Sequence, residues 1–124
     1  MNNDRFKYRV WHKEEKRYVT GNFSISPSGH LHKTCGDEDG VYEIELGTQV
    51  FAVEQCTGLC DKNGKLIYEG DVIKVDSPYP DGSRREVCWY RGEWNVDGEG
   101  LAYLCRNRKA KVIGNIHETE VKNA

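Results

Sequence analysis

The sequence predicts a mainly β fold of antiparallel strands, and three observations carry that prediction. Apolar side chains recur at every second position in short segments such as FKYRVW and VYEIEL. Turns rich in glycine separate these segments, and the chain contains 13 glycines. No window carries the sustained apolar stripe of a long helix. Many short strands joined by such turns are typical of a small barrel, which we expect over much of the second half.

In the first half, alternating segments predict strands on both sides of a long loop. FKYRVW predicts a half-buried strand with Phe6, Tyr8 and Val10 on one side, HKEEKR a charged turn, and YVTGNFSI a return strand. Residues 26–40 have the lowest apolar content, so we expect a long, mobile loop with a short strand around Leu31. VYEIEL predicts another strand, and QVFAVEQCT fits a strand or a short helix. The best helix candidates are KEEKR and the last residues.

In the second half, tight turns alternate with short strands. DKNGK predicts a turn, DVIKV a strand, and DSPYPDGSRR a polar excursion. The strands EVCWY, WNV, LAYLC and KVIGNI follow, separated by turns at RGE, DGEG and RNRK. At 124 residues the chain is too short for two ordinary domains. We therefore expect a single domain over 1–124, with an N-terminal β part, 1–55, and a barrel part, 56–124.

Composition and charge argue against a membrane protein and leave nucleic-acid binding to a local patch. The 18 basic and 20 acidic residues give a net charge of −2, so no strong positive field exists to hold a phosphate backbone. No apolar run approaches the roughly 20 residues that a membrane-spanning helix needs, and the N-terminal residues form no apolar signal segment. The five cysteines are odd in number, and we interpret them as reduced thiols in a cytosol.

The segment TGLCDKNGKLIYEGDVIKV, residues 57–75, holds three carboxylates in two short motifs. Paired carboxylates can divide acid and base roles or hold a divalent metal. Asp61, however, opens DKNG, where an Asx side chain bonds the backbone two residues on and Gly64 suits the left-handed position. Glu69 and Asp71 flank a glycine in a turn that enters a strand. We interpret all three as turn residues, with a site as the alternative.

Cysteine and histidine supply the only candidate metal cluster. Thiolate and imidazole suit zinc, whose ligands usually come in pairs two to four residues apart. The candidates lie in HLHKTC and CTGLC, neither of which is a C-x-x-C knuckle: His30, His32, Cys35, Cys56 and Cys60. The alternative is small buried thiols and exposed loop histidines. We expect no metal and no cofactor.

Catalytic motifs are missing from the sequence. It has no G-x-S-x-G elbow, and DGEGL is too short for a phosphate-binding loop. His117, in GNIHETE, lacks the second histidine of H-E-x-x-H. A hydrolytic enzyme that assembles its Cys/His or Asp/Glu groups only in the fold remains an alternative. An enzymatic function is therefore the less favoured interpretation, and we assign no catalytic residue.

Aromatic and basic residues outline a candidate binding surface on the barrel. Aromatic grooves on small barrels bind peptides or stacked bases. Trp89 is expected in the core by its place in the alternation, facing Trp94 across a hairpin. The exposed candidates come from the polar excursion and the basic turn after LAYLC: Tyr79, Arg84, Arg85, Arg106, Arg108 and Lys109.

Three segments, FKYRVWHKEEKRYV, TGLCDKNGKLIYEGDVIKV and KVIGNIHETE, together resemble the YopX-like proteins of bacteriophages and prophages. The second segment is close to that family's phrase T-G-L-x-D-x-N-G followed by I-Y-E-G-D. The resemblance implies a mainly β fold with an SH3-like barrel in the second half, an N-terminal β-hairpin packed on it, and a bacterial cytoplasm. It brings no established activity, cofactor or catalytic residue. Cys56 and Cys60 stand where the family more often has an aromatic and a charged residue.

These inferences predict a non-enzymatic phage accessory protein that binds a macromolecule or another copy of itself. Open sheet edges give self-association a natural route. A host or phage protein and a nucleic acid are both expected as possible partners, and a membrane is not. The alternatives are a metal-dependent protein or hydrolytic enzyme, and a weak nucleic-acid-binding module.

Overall fold

Antiparallel strands make up most of the residues that the structure, a computed structural model, describes: 3–76 and 85–118. The predicted mainly β, antiparallel fold is therefore confirmed, and one sheet curls into a half barrel. Closer likeness to an SH3 domain and packing of the N-terminal hairpin stay predictions. The chain divides into two compact units. Unit 2 comprises Arg9–Glu54, and unit 1 comprises the described residues before and after it.

Unit 2 contains two sets of antiparallel strands. Its strands, of which β1 begins one residue before the unit, are β1 (Tyr8–His12), β2 (Arg17–Val19), β3 (Phe23–Ile25), β4 (Leu31–Asp37) and β5 (Gly40–Glu45). The strand β6 (Phe51–Cys60) starts here and continues into unit 1. The pair β1–β2 sets Val10 opposite Val19, while β3, β4 and β5 form a three-stranded sheet in that order.

A polar cluster stabilises the first of these sets. Glu54 is only 5 % exposed, and its Oε1 accepts hydrogen bonds from Arg9 Nε and from the Tyr18 hydroxyl, both at 2.8 Å. The Arg9 guanidinium also lies 4.5 Å from the centre of the Tyr18 ring. A buried carboxylate needs such partners, because leaving it unpaired costs several kcal/mol. The only buried apolar side chains among the described residues of unit 2 are Val10 and Leu31.

Unit 1 contains a 3₁₀ turn, Asp4–Phe6, eight strands or strand segments and the helix α1 among its described residues, and residues 116–118 are also helical. Beyond the end of β6 these are β7 (Leu66–Tyr68), β8 (Asp71–Lys74), β9 (Arg85–Glu86), β10 (Cys88–Tyr90), β11 (Glu93–Val96), β12 (Glu99–Gly100), α1 (Leu101–Asn107) and β13 (Lys111–Asn115). Strand β8 lies between β13 and β9, and β11 lies between β10 and β12. No helix of the described residues is long and apolar enough to cross a membrane.

The hydrophobic core of the described residues lies entirely in unit 1. Its buried members come from β7, β8, β11, α1, β13 and the residues beside them: Ile67, Ile73, Val75, Val87, Val96, Leu101, Leu104, Ala110 and Val112. Side chains of this size each gain about 1.5–3 kcal/mol from complete burial. Unit 1 therefore has the larger apolar driving force of the two.

The prediction of a long loop over residues 26–40 is wrong, although the short strand predicted around Leu31 is confirmed. Seven residues, Leu31–Asp37, form β4, with β3 and β5 bonded on either side. The segment is polar because its side chains are half exposed, whereas its backbone groups are paired within the sheet. Low apolar content therefore marked an uncovered strand and not a loop.

LAYLC forms a helix, so the prediction of a strand there is wrong. Leu101 and Leu104, three residues apart, are fully buried and Cys105 packs against the core. A segment this short satisfies both the helical and the strand period, and packing decides between them. KEEKR is a turn leading into β2, not a helix. Of the other helix candidate, the last residues, 116–118 are helical and 119–124 lie outside the described residues.

Two smaller predictions also differ from the structure. Phe6 lies in the 3₁₀ turn before β1 and is 61 % exposed, so it does not share the inward side of a strand. Trp89 does lie opposite Trp94, with ring centres 5.0 Å apart, but it is 55 % exposed. Only Trp94 packs against the core. Trp89 shares the side of the hairpin on which Trp94 lies, but only Trp94 reaches the core, so the alternation of β10 predicted the side of Trp89 and not its burial.

Candidate functional site

Asp61, the first candidate carboxylate, fixes a turn. Its Oδ1 accepts hydrogen bonds from the backbone N–H groups of Asn63 and Lys65, both at 2.9 Å. Its Oδ2 accepts another from Val112 N–H at 3.0 Å, which joins the turn to β13. Gly64 has a φ of 83°, the left-handed value expected from the sequence. The predicted turn role is confirmed, with a long-range bond that the sequence did not indicate.

The electrostatics of Asp61 agree with a structural role. Burial by itself raises the pKa of this carboxyl, but the N–H groups of Val112, Lys65 and Asn63 outweigh burial and hold its pKa below the usual value. An ionised carboxylate with both oxygens engaged is a poor general acid and has little room for a metal ion. Asp61 therefore organises unit 1 and is not a reactive group.

The other two carboxylates of the segment also bond to the backbone. Asp71 is 2 % exposed, and its Oδ2 accepts the N–H of Tyr68 at 2.7 Å. Its carbonyl oxygen accepts the N–H of Val87 at 2.8 Å. Glu69 Oε1 lies 3.5 Å from the N–H of Gln55. The Asp71 side chain holds the turn into β8, as the sequence predicted, whereas the Glu69 side chain lies beside Gln55 of β6.

The five zinc candidates fall in both units: His30, His32 and Cys35 in unit 2, and Cys56 and Cys60 in unit 1. Within residues 3–76 and 85–118, no three histidine, cysteine, aspartate or glutamate side chains form a group that could hold a metal ion. Cys56 is fully buried and Cys60 is exposed. Buried Cys56 fits the alternative interpretation, a small apolar side chain in the interior.

The basic candidates divide into paired and exposed residues. Arg85 is held by two carboxylates, with Nε 3.6 Å from Asp97 Oδ2 and NH1 3.5 Å from Glu99 Oε2. These contacts offset much of its positive field. The last turn of α1 and the residues after it, by contrast, are exposed and present three cations: Arg106, Arg108 and Lys109. Tyr79 and Arg84 lie outside the described residues.

A feature that sequence reasoning missed is the open edge strand β5 of unit 2. All six residues of Gly40–Glu45 are exposed. Three are large and apolar: Val41 is 77 % exposed, Tyr42 50 % and Ile44 42 %. Strand β5 ends the order β3–β4–β5 and, within the part of the chain that the structure describes, pairs only with β4. It is therefore an uncovered edge with exposed apolar side chains.

The hydrogen-bond ladder shows which backbone groups of β5 face away from β4. Leu46 N–H donates to the Leu31 carbonyl oxygen at 2.8 Å, and paired residues in an antiparallel ladder alternate between bonded and non-bonded. Because Leu46 and Leu31 form a hydrogen-bonded pair, every second residue before Leu46 is also bonded to β4. The residues between them, which do not bond to β4, are Val41, Glu43 and Glu45, opposite β4 residues 36, 34 and 32. The N–H and C=O groups of these three residues point outward, where another strand would pair with them.

The edge carries a dense negative charge. Residues 37–45 contain five acidic side chains and no lysine or arginine: Asp37, Glu38, Asp39, Glu43 and Glu45. Side chains on a strand alternate between faces, so Glu43 and Glu45 share one face with Val41. Tyr42 and Ile44 lie on the other. Strand β5 thus presents an acidic face and an apolar face.

A cleft of about 750 Å³ adjoins the C-terminal end of β5 within unit 2. Its polar rim includes Lys13, His30 and Glu45, and its apolar wall includes Leu46 and Phe51. His30 Nδ1 lies 3.3 Å from Glu45 Oε1, and the Lys13 ammonium donates to the Thr48 carbonyl oxygen at 2.8 Å. The volume is within the range of ligand pockets, and the cleft shares Glu45 with the open edge.

Comparison with known proteins places the chain in a family. A family model described as YopX protein matches residues 7–121. The chain belongs to the YopX family. Apart from Phe6, the match covers all three segments on which the sequence resemblance rested, so the prediction of the family is confirmed. No curated protein matches the chain.

Two solved structures are similar over nearly their whole length. Protein EF1440 from Enterococcus faecalis is 28 % identical, with a TM-score of 0.58, and the match covers 92 % of this chain and 94 % of that one. Protein YopX from Bacillus subtilis is 20 % identical, with a TM-score of 0.61 and coverage of 90 % and 92 %. The second likeness concerns the fold alone, and neither name states an activity.

Proposed function

We propose that this chain is a non-enzymatic accessory protein of a bacteriophage or prophage that binds another protein in the bacterial cytoplasm by strand addition at β5. The observation that supports this is the edge strand itself, which is six residues long and exposed throughout. The phage origin and the cytoplasm rest on the family. The binding mode rests on the geometry of unit 2.

Strand addition suits this edge for two physical reasons. An incoming strand would pair with the outward N–H and C=O groups of Val41, Glu43 and Glu45, and backbone pairing gives affinity that does not depend on sequence. It would also cover part of Tyr42 and Ile44, which are large apolar side chains left in water. Six residues at about 3.3 Å each give a contact about 20 Å long.

The test is a proline in the open edge. Glu43→Pro removes one outward N–H group, whereas the ladder to β4 uses the groups of the neighbouring residues. We expect the wild-type protein and the control variant Glu43→Ala to capture a partner from lysogenic cells. The variant Glu43→Pro should not capture it. Circular dichroism and thermal unfolding check that the three proteins fold alike. Equal capture by a folded Glu43→Pro would contradict strand addition at β5.

The exposed basic turn supports a second candidate, weak nucleic-acid binding. Arg106, Arg108 and Lys109 are exposed cations within four residues and can approach phosphates. A titration against single- and double-stranded DNA at low salt tests it, with Arg106→Ala/Arg108→Ala as the variant. Affinity that falls with salt and with the double substitution would support this function. No affinity at low salt would remove it, since the electrostatic contribution is greatest there.

A further inference from the structure

We propose, on the basis of the proposed function, that the segment received by β5 is a basic one. It would be an extended strand of a partner protein in which lysine or arginine alternates with apolar residues. Strand β5 combines an acidic face, an apolar face and an open edge, and a cleft lies at its C-terminal end. A second copy of this chain does not fit that edge.

Charge complementarity determines one face of the partner. Glu43 and Glu45 lie on the face that carries His32 and Thr34 of β4, because paired residues point to the same side of a sheet. The only lysine or arginine in strands β3–β5 is Lys33, which pairs with Ile44 on the opposite face. No lysine or arginine of this sheet therefore lies on the acidic face, where His32 pairs with Glu45 and where His30 Nδ1 is 3.3 Å from Glu45 Oε1. An added strand with cations at alternate positions would set them beside the two glutamates, and such cross-strand pairs are favourable.

Apolar contacts determine the other face. The partner residues between the cations would point to the side of Tyr42 and Ile44. Ile25 of β3, which is 41 % exposed, and Phe23 lie on the same side of the sheet, because they pair through β4 in the matching register. On this face Tyr42 and Ile44 of the edge strand offer apolar contacts to alternate side chains of the partner, while Lys33 separates Ile44 from Phe23. The expected partner strand is thus amphipathic, with a period of two.

The cleft provides an anchor at one end of that strand. Glu45 closes β5 and also lines the cleft, whose wall includes Leu31, Leu46 and Phe51. A side chain projecting from the end of the added strand would reach an apolar wall with a polar rim. Pockets beside an augmented edge give such complexes their specificity. We therefore infer an apolar or aromatic residue at the end of the basic strand that lies beside Glu45.

Two-fold pairing of two β5 strands is disfavoured by the same charges. In an antiparallel pair of two identical strands related by a two-fold axis, directly opposite residues point to the same face. Residues on the same face of a strand are an even number of positions apart, so the two residue numbers of each opposite pair add up to an even number. A pair centred on Glu43 sets the two Glu43 carboxylates opposite each other. A pair centred on Ile44 sets Glu43 opposite Glu45, and one centred on Tyr42 sets Glu45 opposite Asp39. Each register opposes like charges, which is destabilising.

The experiment uses two labelled eight-residue peptides, one alternating lysine with valine and one alternating glutamate with valine. Fluorescence anisotropy measures their binding to the wild-type protein at low salt. We expect the lysine peptide to bind about tenfold more tightly or better, as two favourable cross-strand pairs replace two repulsive ones. The double variant Glu43→Lys/Glu45→Lys should reverse that preference.

A matched control separates a local contact from net charge. Glu38→Lys/Asp39→Lys changes the net charge by the same amount but alters only the exposed turn between β4 and β5. This control should keep the preference for the lysine peptide. If both double variants behave alike, or if the lysine peptide does not bind the wild-type protein, the inference of a basic strand is overturned.

Two further outcomes distinguish this inference from the proposed function. Capture of a cellular partner that is lost in Glu43→Pro, together with equal binding of both peptides, would keep strand addition and overturn the basic partner. A wild-type dimer in solution that Glu43→Pro dissociates would show that the occupant is a second copy. A folded Glu43→Pro that still captures the partner and binds the lysine peptide equally well would overturn both.

Discussion

Unit 1 and unit 2 bury their side chains to very different extents. Among the described residues, ten buried apolar side chains lie in unit 1 and two in unit 2. In unit 1 the carboxylates Asp61 and Asp71 accept backbone N–H groups. In unit 2 the carboxylates Glu43 and Glu45 stand on an uncovered strand. The same side-chain type therefore organises one unit and is presented to solvent by the other.

This contrast between the units indicates where a function can lie in a chain whose sequence shows no catalytic motif. A carboxylate whose oxygens are filled by backbone donors is no longer available to a ligand. A strand whose outer N–H and C=O groups are unpaired is available, and proteins usually protect such edges. Charged side chains are one means of protection, and on β5 they would also select the partner. The candidate site is thus defined by unpaired backbone more than by reactive side chains.

The largest expected contrast between the units is in packing. Leu104→Ala, in the core of unit 1, should lower the free energy of unfolding by about 3–4 kcal/mol, because it removes a fully buried side chain and leaves a cavity. Ile44→Ala, on β5, should change it by less than about 0.5 kcal/mol. Urea unfolding of both variants measures the difference. Equal effects would show that β5 is covered in solution.

The next contrast concerns carboxylates. Asp61→Ala leaves three N–H groups without their acceptor and should destabilise the protein by about 2–3 kcal/mol. Asp61→Asn keeps an acceptor for the turn and should cost less. Asp39→Ala, at an exposed turn of unit 2, should be nearly neutral. Thermal unfolding of the three variants tests the order, and a neutral Asp61→Ala would contradict the structural role of that residue.

The pH dependence of stability follows from the same carboxylate. The pKa of Asp61 is lower in the folded protein than in the unfolded chain, so folding favours its ionised form. Its contribution is fully present above the unfolded value near 3.8 and is lost as the pH falls from there through the lower folded pKa. Unfolding measured against pH should therefore show a smaller acid-induced loss in Asp61→Asn than in the wild type. Identical acid profiles would be the contrary result.

The smallest expected effect is a difference in alkylation rate among the cysteine thiols of unit 1. Burial, followed by nearby negative charges, raises the pKa of Cys105 and of Cys88, which lowers their thiolate fraction. Cys60 is exposed. Iodoacetamide at about pH 8 should alkylate Cys60 first, and peptide mass spectrometry follows the order. Cys88 or Cys105 reacting before Cys60 would show that the interior of unit 1 opens readily.

Several parts of the fold were predictable because they depend on local chemistry. The turn at 61–64 follows from an Asx residue and a glycine at fixed offsets. The strands β1, β5, β8 and β13 follow from period-two alternation. Family membership was also predictable, since three motifs recur in order along the chain. Each of these signals is contained in a few neighbouring residues.

Other parts depended on contacts between distant residues. Whether LAYLC is a helix depends on how Leu101 and Leu104 pack in the core, because both periods fit the segment. The exposure of Trp89 depends on how far the core extends along its hairpin, because Trp94 on the same side does pack against the core. Residues 31–37 became a strand because β3 and β5 pair with them, although their own composition favoured a loop. In each case the deciding energy comes from residues that lie far away in the sequence.

The candidate site shows the same division. The segment VYEIEL is sufficient to predict a strand with acidic side chains on one face and apolar side chains on the other, since the period of a strand fixes which residues share a face. That no strand of residues 3–76 or 85–118 pairs with the outer side of β5 became visible in the fold alone, because strand order is a property of the whole sheet. The sequence determined that Asp61 and Gly64 form a turn. Only the fold brought Val112 to the second oxygen of Asp61, because that hydrogen bond joins residues that are distant along the chain.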